Sequence, residues 1–156
     1  MKDKTKKKLK LKVSAIKDGT VIDHIPAQNL FSVINILGLN RIENQITFGT
    51  NLESEKLGSK AIIKVTDKFF EDEEINKIAL IAPNAKLNII KDYEVTEKKV
   101  VEIPAQITGI VKCFNPKCIT NNETVMTKFS VISKSPLALK YFYCEKITDK
   151  DHLQII

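Results

Sequence analysis

Three cysteines carry the most specific chemistry in this sequence, and all three lie in its last third. Cys113 and Cys118 are separated by a short turn that could direct both thiolates at one point, and Cys144 follows a hydrophobic run that could bring a third sulfur from a distant strand. Structural zinc is usually held by four such ligands in a tetrahedron. The spacing therefore predicts a metal site with three thiolates, whose fourth ligand is water, a residue such as His152, or absent. Idle thiols in a reducing compartment are the alternative.

A second group of candidates consists of lysines that could bind an anion. Lys10 and Lys12 lie on the polar side of a strand that alternation predicts from Leu9 to Ala15. Lys64 lies in a short strand predicted for Ala61 to Val65, and Lys98 follows the last strand of this half. If these strands are neighbours, the lysines converge on a phosphorylated ligand, on which lysine acts as a mobile point charge. Neither of the common glycine-rich phosphate loops occurs in the sequence. Solvated surface lysines are the alternative interpretation.

Asp23 and His24 form the third candidate group. The carboxylate could accept hydrogen bonds from a ribose hydroxyl or a base amine, and the imidazole could titrate near neutrality. A polar pair at a strand end before Pro26 is the alternative. A small enzyme that uses this pair lacks partners for it, because the sequence suggests no Ser/His/Asp set and no Cys/His dyad. We therefore expect no catalytic residues.

Composition limits the class of protein. The net charge of +6 favours anionic partners, but Arg41 is the only arginine, and nucleic-acid readers depend on guanidinium groups for bidentate contacts. No apolar run approaches the roughly 18–20 residues that cross a bilayer, and no apolar segment of a signal peptide follows the N-terminal lysines. An odd number of cysteines fits a reducing compartment. We expect a cytoplasmic protein with neither membrane nor nucleic acid as a partner.

Hydrophobic periodicity predicts an α+β fold whose first part is ferredoxin-like. The first predicted elements are a strand from Leu9 that turns at Asp18-Gly19, a strand over Thr20 to Ile25 and a helix over Ala27 to Leu37. They are followed by a strand over Gln45 to Thr50, a loop over Asn51 to Lys60 and a strand over Ala61 to Val65. A helix from Glu71 to Ala82 and a strand over Lys86 to Lys91, which Tyr93 to Val95 extend, complete this part. This is the split βαβ order. It predicts one antiparallel sheet with both helices on one face and the other face available for a ligand.

A second domain is predicted after a hinge at residues 96–107, which carry charges and Pro104. The domains are therefore expected at 1–100 and 101–156. Strands predicted at Thr108 to Val111, Lys128 to Ser133 and Leu137 to Cys144 give a small all-β, zinc-ribbon-like module. A module of this size rarely supports itself on its apolar core alone, so a metal would help.

Several segments resemble the regulatory chain of aspartate carbamoyltransferase, in order and over about residues 9 to 150. They are Gly19 to Gln28, Ala82-Pro83 with Asn88, Asp92 to Val95, and Ala138 to Lys140 leading to Tyr143 to Lys146. The resemblance implies a non-catalytic subunit that controls the enzyme in de novo pyrimidine biosynthesis, with CTP as inhibitor and ATP as activator. It also implies a homodimer, in an assembly of two catalytic trimers bridged by three regulatory dimers. A basic zinc-ribbon protein that binds nucleic acid is the alternative.

The resemblance also implies roles for individual residues. In the effector site, Lys98 and His24 would face phosphates, Asp23 and Lys64 would lie at the ribose, and mainly apolar residues would read the base. The full implied set is Lys10, Val13, Ala15, Ile16, Asp23, His24, Lys64, Asn88, Ile90, Tyr93, Val95 and Lys98.

In the second domain, the resemblance implies zinc ligands at Cys113, Cys118 and Cys144 and a contact with the catalytic chain at Asn115 and Glu145. The family has four cysteines at its zinc site. This chain has Tyr141 at the position of the third, so it offers three thiolates or no zinc site.

Overall fold

The computed structural model describes residues 15–115, 117 and 125–155. These residues form two compact units, with the division between Val101 and Glu102. Most of the first predicted strand, together with Lys10, Val13 and Cys118, lies outside the described residues.

The first unit has the predicted α+β architecture. Its elements are β1 (Gly19–Pro26), α1 (Leu30–Ile36), β2 (Ile46–Ser54), β3 (Gly58–Thr66), α2 (Asp72–Asn76), β4 (Lys86–Lys91) and β5 (Glu94–Val100). The strands form one sheet in the order β2-β3-β1-β4-β5, in which every neighbouring pair is antiparallel. The first four strands have the ferredoxin-like order, which confirms that prediction, and β5 extends the sheet beyond β4.

The core lies on one face of this sheet. Ile22 faces Ile63 on one side and Leu87 on the other, and all three are fully or almost fully buried. Lys99 of β5 is directly opposite Leu87, and its Nζ lies 3.1 Å from Oδ1 of Asp72 at the start of α2. The α2 helix therefore lies on the Ile22 face. We call this the core face.

Both helices are shorter than predicted but begin and end for recognisable reasons. A 3-10 turn over Ala27–Asn29 precedes α1, and Gly38 follows it in a left-handed conformation at φ 67°. The α2 helix starts as predicted after Glu71, which forms a capping box with Glu74. Beyond Asn76 the chain continues in turns, which still bury Ile78 and Ala79. The side chain of Asn29 donates to the carbonyl of Ile81 at 2.8 Å, so the two helical segments are joined on one side of the sheet.

Two predictions about connecting segments are wrong. The predicted loop over Asn51 to Lys60 belongs mostly to strands, since β2 continues to Ser54 and β3 begins at Gly58. Backbone pairing between neighbouring strands tolerates such polar side chains where they are exposed. The first part of the predicted hinge at residues 96–107 is likewise the second half of β5, which pairs with β4 up to Val100.

The described residues of the second unit form only strands, turns and one 3-10 turn over Lys150–His152. Its strands are β6 (Gln106–Thr108), β7 (Val111–Lys112), β8 (Lys128–Lys134), β9 (Leu137–Tyr141), β10 (Ile147–Asp149) and β11 (Gln154–Ile155). Four of them form a sheet in the order β10-β9-β8-β6, and β11 pairs with β7. The predicted strand over Leu137 to Cys144 ends early, because the chain turns after Tyr141, and the last two strands were not predicted. Phe129, Leu139 and Tyr141 form the buried centre of this unit.

None of the helices in the described part of the chain is both long enough and apolar enough to cross a membrane.

Candidate functional site

A row of side chains crosses four strands of the first unit. Val21 of β1 pairs with Lys64 of β3 on one side and with Asn88 of β4 on the other, and Asn88 pairs with Lys98 of β5. Residues directly opposite each other in antiparallel strands point to the same face. Because Val21 alternates with Ile22, this row lies on the face opposite the core. We call this the charged face.

Asp23 and two further lysines continue the charged face. Asp23 lies two residues after Val21 and forms an ion pair with Lys60, whose Nζ lies 2.9 Å from Oδ1 and 3.2 Å from Oδ2 of Asp23. Lys60 precedes Lys64 by four residues in β3, so both point to the same face. Lys86 of β4 is directly opposite Asp23. Sequence reasoning missed Lys60 because it placed this residue in a loop; the period of two from Lys64 back to Lys60 was the available signal.

His24 occupies an irregular position that aims it at the same carboxylate. The pairing of β1 with β3 shifts register between Ile22 and Ile25, which makes room for a bulge, and His24 has a φ of 60°. Its backbone N–H donates to Oδ1 of Asp23 at 2.6 Å, and its Nδ1 lies 3.6 Å from Oδ2. This ring nitrogen is buried and has no hydrogen-bond partner among the described residues. A ligand group could supply the missing partner.

Lys64 is the most enclosed cation of the charged face, with 9% of its surface exposed. Burial lowers its pKa below the ordinary value of 10.5, because a desolvated ammonium is disfavoured, and the negative charge of Asp23 partly opposes that shift. A bound anion would favour the charged form of this lysine.

The opposite end of the charged face is apolar. Gly19 pairs with Ile90 of β4, and Ile90 pairs with Val95 of β5. A Cβ atom on Gly19 would lie 3.1 Å from Cδ1 of Ile16 and would collide with the carbonyl oxygen of Val65. Gly19 has a φ of 142°, so glycine is needed here both for the backbone conformation and for the close approach of β3.

Tyr93 lies in the turn between β4 and β5 at this apolar end. Asp92 and Tyr93 both have positive φ, 51° and 65°, as a tight two-residue hairpin turn requires. The N–H of Tyr93 donates to the carbonyl of Lys17 at 2.9 Å, and the N–H of Asp92 donates to Oδ1 of Asp18 at 3.1 Å. These bonds hold the segment before β1 against the turn, while the Tyr93 side chain remains 67% exposed.

Apart from Ala15, the described members of the predicted effector set thus lie on or beside the charged face. The apolar members lie near the row that contains Gly19. The middle row consists of Lys64, Asn88 and Lys98, and Asp23 lies beyond it together with His24. The outer rows are separated by four residues of β1, or about 13 Å at 3.3–3.4 Å per residue. Ala15 is exposed at the beginning of the described chain. Lys10 and Val13 lie outside the described residues.

In the second unit, two of the three cysteines meet. Cys113 follows β7 and is buried, Cys144 lies in the turn after β9, and their Sγ atoms are 3.6 Å apart. Two thiolates on a tetrahedral zinc ion, each at about 2.3 Å, would be about 3.8 Å apart. A disulfide would bring them to about 2.05 Å. The pair therefore has the spacing of two ligands of one metal ion.

Other metal ligands do not join this pair in the part of the chain that the structure describes, where no group of three His, Cys, Asp or Glu side chains could hold a metal ion. Cys118 lies outside the described residues. His152, considered as a fourth ligand, instead has its Nδ1 2.6 Å from Oδ1 of Asp149. That bond raises the pKa of His152 and lowers that of Asp149.

Tyr141 is part of the core, with 1% of its surface exposed. Its ring packs against Phe129 with a centroid separation of 4.6 Å and against Tyr143 at 5.8 Å. Two aromatic contacts therefore hold this ring three residues before Cys144.

The two residues expected at a protein contact flank the cysteines. Oδ1 of Asn115 accepts from the N–H of Lys117 at 3.2 Å. Glu145 has a φ of 59° and donates from its N–H to the carbonyl of Tyr141 at 3.0 Å, which closes the turn that holds Cys144. Phe142 and Tyr143 in this turn are exposed.

Comparison with known proteins gives a consistent result over almost the whole chain. Residues 11–102 match the allosteric domain of the aspartate carbamoyltransferase regulatory chain, and residues 105–154 match its metal-binding domain. The regulatory chain of Bacteroides fragilis is 56% identical over 146 residues, which cover 94% of this chain and 95% of the relative. The regulatory chain of Pyrococcus horikoshii is 54% identical over 145 residues, which cover 92% of this chain and 95% of the relative. The regulatory chain of Porphyromonas gingivalis is 51% identical over 150 residues, which cover 96% of this chain and 99% of the relative.

Proposed function

The chain belongs to the family of aspartate carbamoyltransferase regulatory chains, the non-catalytic subunits of that enzyme, and we propose that its charged face binds the effectors CTP and ATP. CTP acts as the inhibitor and ATP as the activator. The second unit docks onto the catalytic chain, in the cytoplasm, as part of an assembly of two catalytic trimers and three regulatory dimers.

The observation that carries this proposal is the row of Lys64, Asn88 and Lys98 between an apolar end and the end that carries Asp23. A nucleotide needs three chemically different environments: an apolar surface for the base, an acceptor for ribose hydroxyls, and cations for phosphates. Ile90 and Val95 offer the first, Asp23 with Lys64 the second, and Lys98 with His24 the third. The length of about 13 Å between the outer rows suits an extended ligand.

Nucleotide control then follows from linkage. A ligand shifts a two-state equilibrium only by the difference between its affinities for the two states. CTP and ATP share ribose and triphosphate but differ in the base, so the apolar end with Ile90 and Tyr93 is where opposite effects must originate. The segment that joins β5 to β6, residues 101–105, carries that preference to the second unit.

Zinc is part of the proposal for the second unit. The spacing of 3.6 Å between the Cys113 and Cys144 sulfurs suits two ligands of one ion, and Cys118 is the third thiolate in the sequence. When bound, the metal would tie the end of β7 to the turn after β9. Asn115 and Glu145, beside these cysteines, contact the catalytic chain.

Calorimetric titration of the purified chain with CTP tests the effector site. Lys98→Ala should weaken CTP binding at least tenfold, roughly 1.4 kcal/mol, because one phosphate contact is lost. Lys134→Ala, which removes an exposed lysine from the other unit, should leave the affinity unchanged. Equal affinities of both variants for CTP would refute the assignment of the charged face.

Association with a carbamoyltransferase trimer is measured separately, by analytical ultracentrifugation, and both variants should retain it. The nucleic-acid alternative predicts instead a gel shift that persists at physiological salt, whereas binding through charge alone fades as salt rises.

A further inference from the structure

We infer that Cys113 and Cys144 form an oxidisable dithiol, in which a peroxide converts the pair to a disulfide. This goes beyond nucleotide binding and docking, and the chemistry of the pair does not depend on either. Only its consequence for docking rests on the function proposed above.

Distance and bonding favour this pairing. The two sulfurs are within 3.6 Å, although their residues are 31 positions apart in the chain. One thiol can donate to the other sulfur at this distance, so the pair is a contact of the folded state that needs no metal to explain it. Forming the disulfide requires the sulfurs to approach by about 1.5 Å, to the usual bond length of about 2.05 Å.

Burial assigns the order of events. Cys144 is partly exposed and Cys113 is buried. A peroxide in solution therefore reaches Cys144 first, since oxidation follows exposure as well as thiolate character. The Cys144 thiolate attacks one peroxide oxygen, the O–O bond breaks, and the product is a sulfenic acid with release of water or an alcohol. The Cys113 sulfur then attacks the Cys144 sulfur, the S–O bond breaks, and water leaves. Two electrons pass from the two sulfurs to the peroxide.

When the two sulfurs approach each other, we expect the turn that carries Cys144 to move. The strand before Cys113, β7, is paired with β11, whereas Cys144 lies in a turn that also contains the exposed Phe142 and Tyr143. The ring of Phe142 packs on Tyr143 at 5.1 Å, and Nζ of Lys128 lies 5.0 Å from the Phe142 ring. Oxidation would displace this aromatic surface. It would also remove both sulfurs from any bound zinc, because a disulfide sulfur is no thiolate ligand.

Tyr141 favours oxidation of the Cys113 and Cys144 pair in this chain in particular. A fourth thiolate next to the pair would complete a closed tetrahedral site, whereas a buried tyrosine ring leaves the thiolates without that ligand. The packing of Tyr141 against Phe129 supports the unit whether the sulfurs are reduced, bound to metal or oxidised.

The test uses the full-length chain, as purified and after measurement of its zinc content. Limiting hydrogen peroxide should remove two thiols, lower the mass by two hydrogen atoms, and yield a peptide pair that joins Cys113 to Cys144. Dithiothreitol should reverse all three changes. A disulfide that involves Cys118, or oxidation of single cysteines without a disulfide, would overturn the inference.

The order of attack has its own measurement. With dimedone present during oxidation of the unchanged chain, the trapped sulfenic acid should lie on Cys144, and Cys113→Ser should increase that adduct. A dimedone adduct mainly on Cys113 would show that the assigned order is wrong. Since the first measurement needs no variant at the pair, it remains decisive even if Cys113→Ser does not fold. Calorimetric titration of the reduced chain with CTP tests the effector site independently. A chain that binds CTP but forms no Cys113–Cys144 disulfide would contradict only the dithiol inference.

Discussion

Lys60 and Asp23 form an ion pair across β3 and β1, with the ammonium nitrogen 2.9 Å from one carboxylate oxygen and 3.2 Å from the other. The carboxylate also receives the backbone N–H of His24. Asp23 is thus held by two donors on different strands, which fixes its orientation on the charged face. An acceptor that is fixed before the ligand arrives loses little conformational entropy on binding.

Removal of Lys60 tests this positioning. We expect Lys60→Met to weaken CTP binding by about 1–2 kcal/mol, or five- to thirtyfold, because Asp23 loses the partner that orients it. Titration calorimetry gives the affinity, and Lys134→Met is the matched control in the other unit. Should Lys60→Met bind CTP as the unchanged chain does, the ion pair has no part in binding.

The charge on Lys64 predicts a pH dependence. Its pKa in the folded chain is below the ordinary 10.5, so the unfolded chain holds more protons in the window between those two values. Stability of the unligated chain therefore rises as pH increases through that window. Lys64→Met should remove this rise and should raise the unfolding temperature at neutral pH, because a buried ammonium no longer has to be desolvated.

The same lysine should couple pH to binding. Because the negative charge of a bound nucleotide favours the ammonium form, CTP binding takes up protons in this window, and its affinity falls as pH increases. Calorimetry in two buffers of different ionisation enthalpy measures the proton uptake. An identical uptake in Lys64→Met would assign the proton to another group.

Much of this fold follows from sequence pattern, but the charged face does not. The turn signal at Asp18-Gly19 and the proline at Pro26 bound the predicted β1, the β-branched run from Ala61 to Val65 predicts β3, and the acidic start of α2 indicates its N-terminus. The register of the strands is not predicted by the same patterns, although a slip of one residue would turn Lys64 or Asn88 to the other face of the sheet. The shifts near His24 and near Ile90 decide that register, and bulges leave little trace in a sequence. Lys60 was overlooked for a related reason, since polar residues around it suggested a loop.

Gly19 allows a matched comparison of two glycines. An alanine Cβ at Gly19 collides with the Val65 carbonyl, and the φ of 142° is unfavourable for it. At Gly58 the φ is also positive, at 74°, but no atom lies within 4 Å of the added Cβ. We expect Gly58→Ala to cost about 1 kcal/mol from backbone strain alone, and Gly19→Ala to cost roughly 3 kcal/mol or more. Urea unfolding followed by circular dichroism measures both; equal losses would mean that β3 moves aside without cost.

The family resemblance implies a metal ligand at position 141, where this chain has a packed aromatic ring, and substitutions there separate ligation from packing. Tyr141→Ala should cost about 3–5 kcal/mol because the buried ring leaves a cavity. Tyr141→Cys creates a similar cavity but adds a thiolate beside the Cys113 and Cys144 pair. Zinc should therefore raise its unfolding temperature far more than that of Tyr141→Ala, by the mass action of a ligand that binds only the folded chain. Differential scanning fluorimetry with zinc and with a chelator measures this difference. If zinc shifts both variants equally, position 141 is not adjacent to the metal site, and the tyrosine is only a core residue.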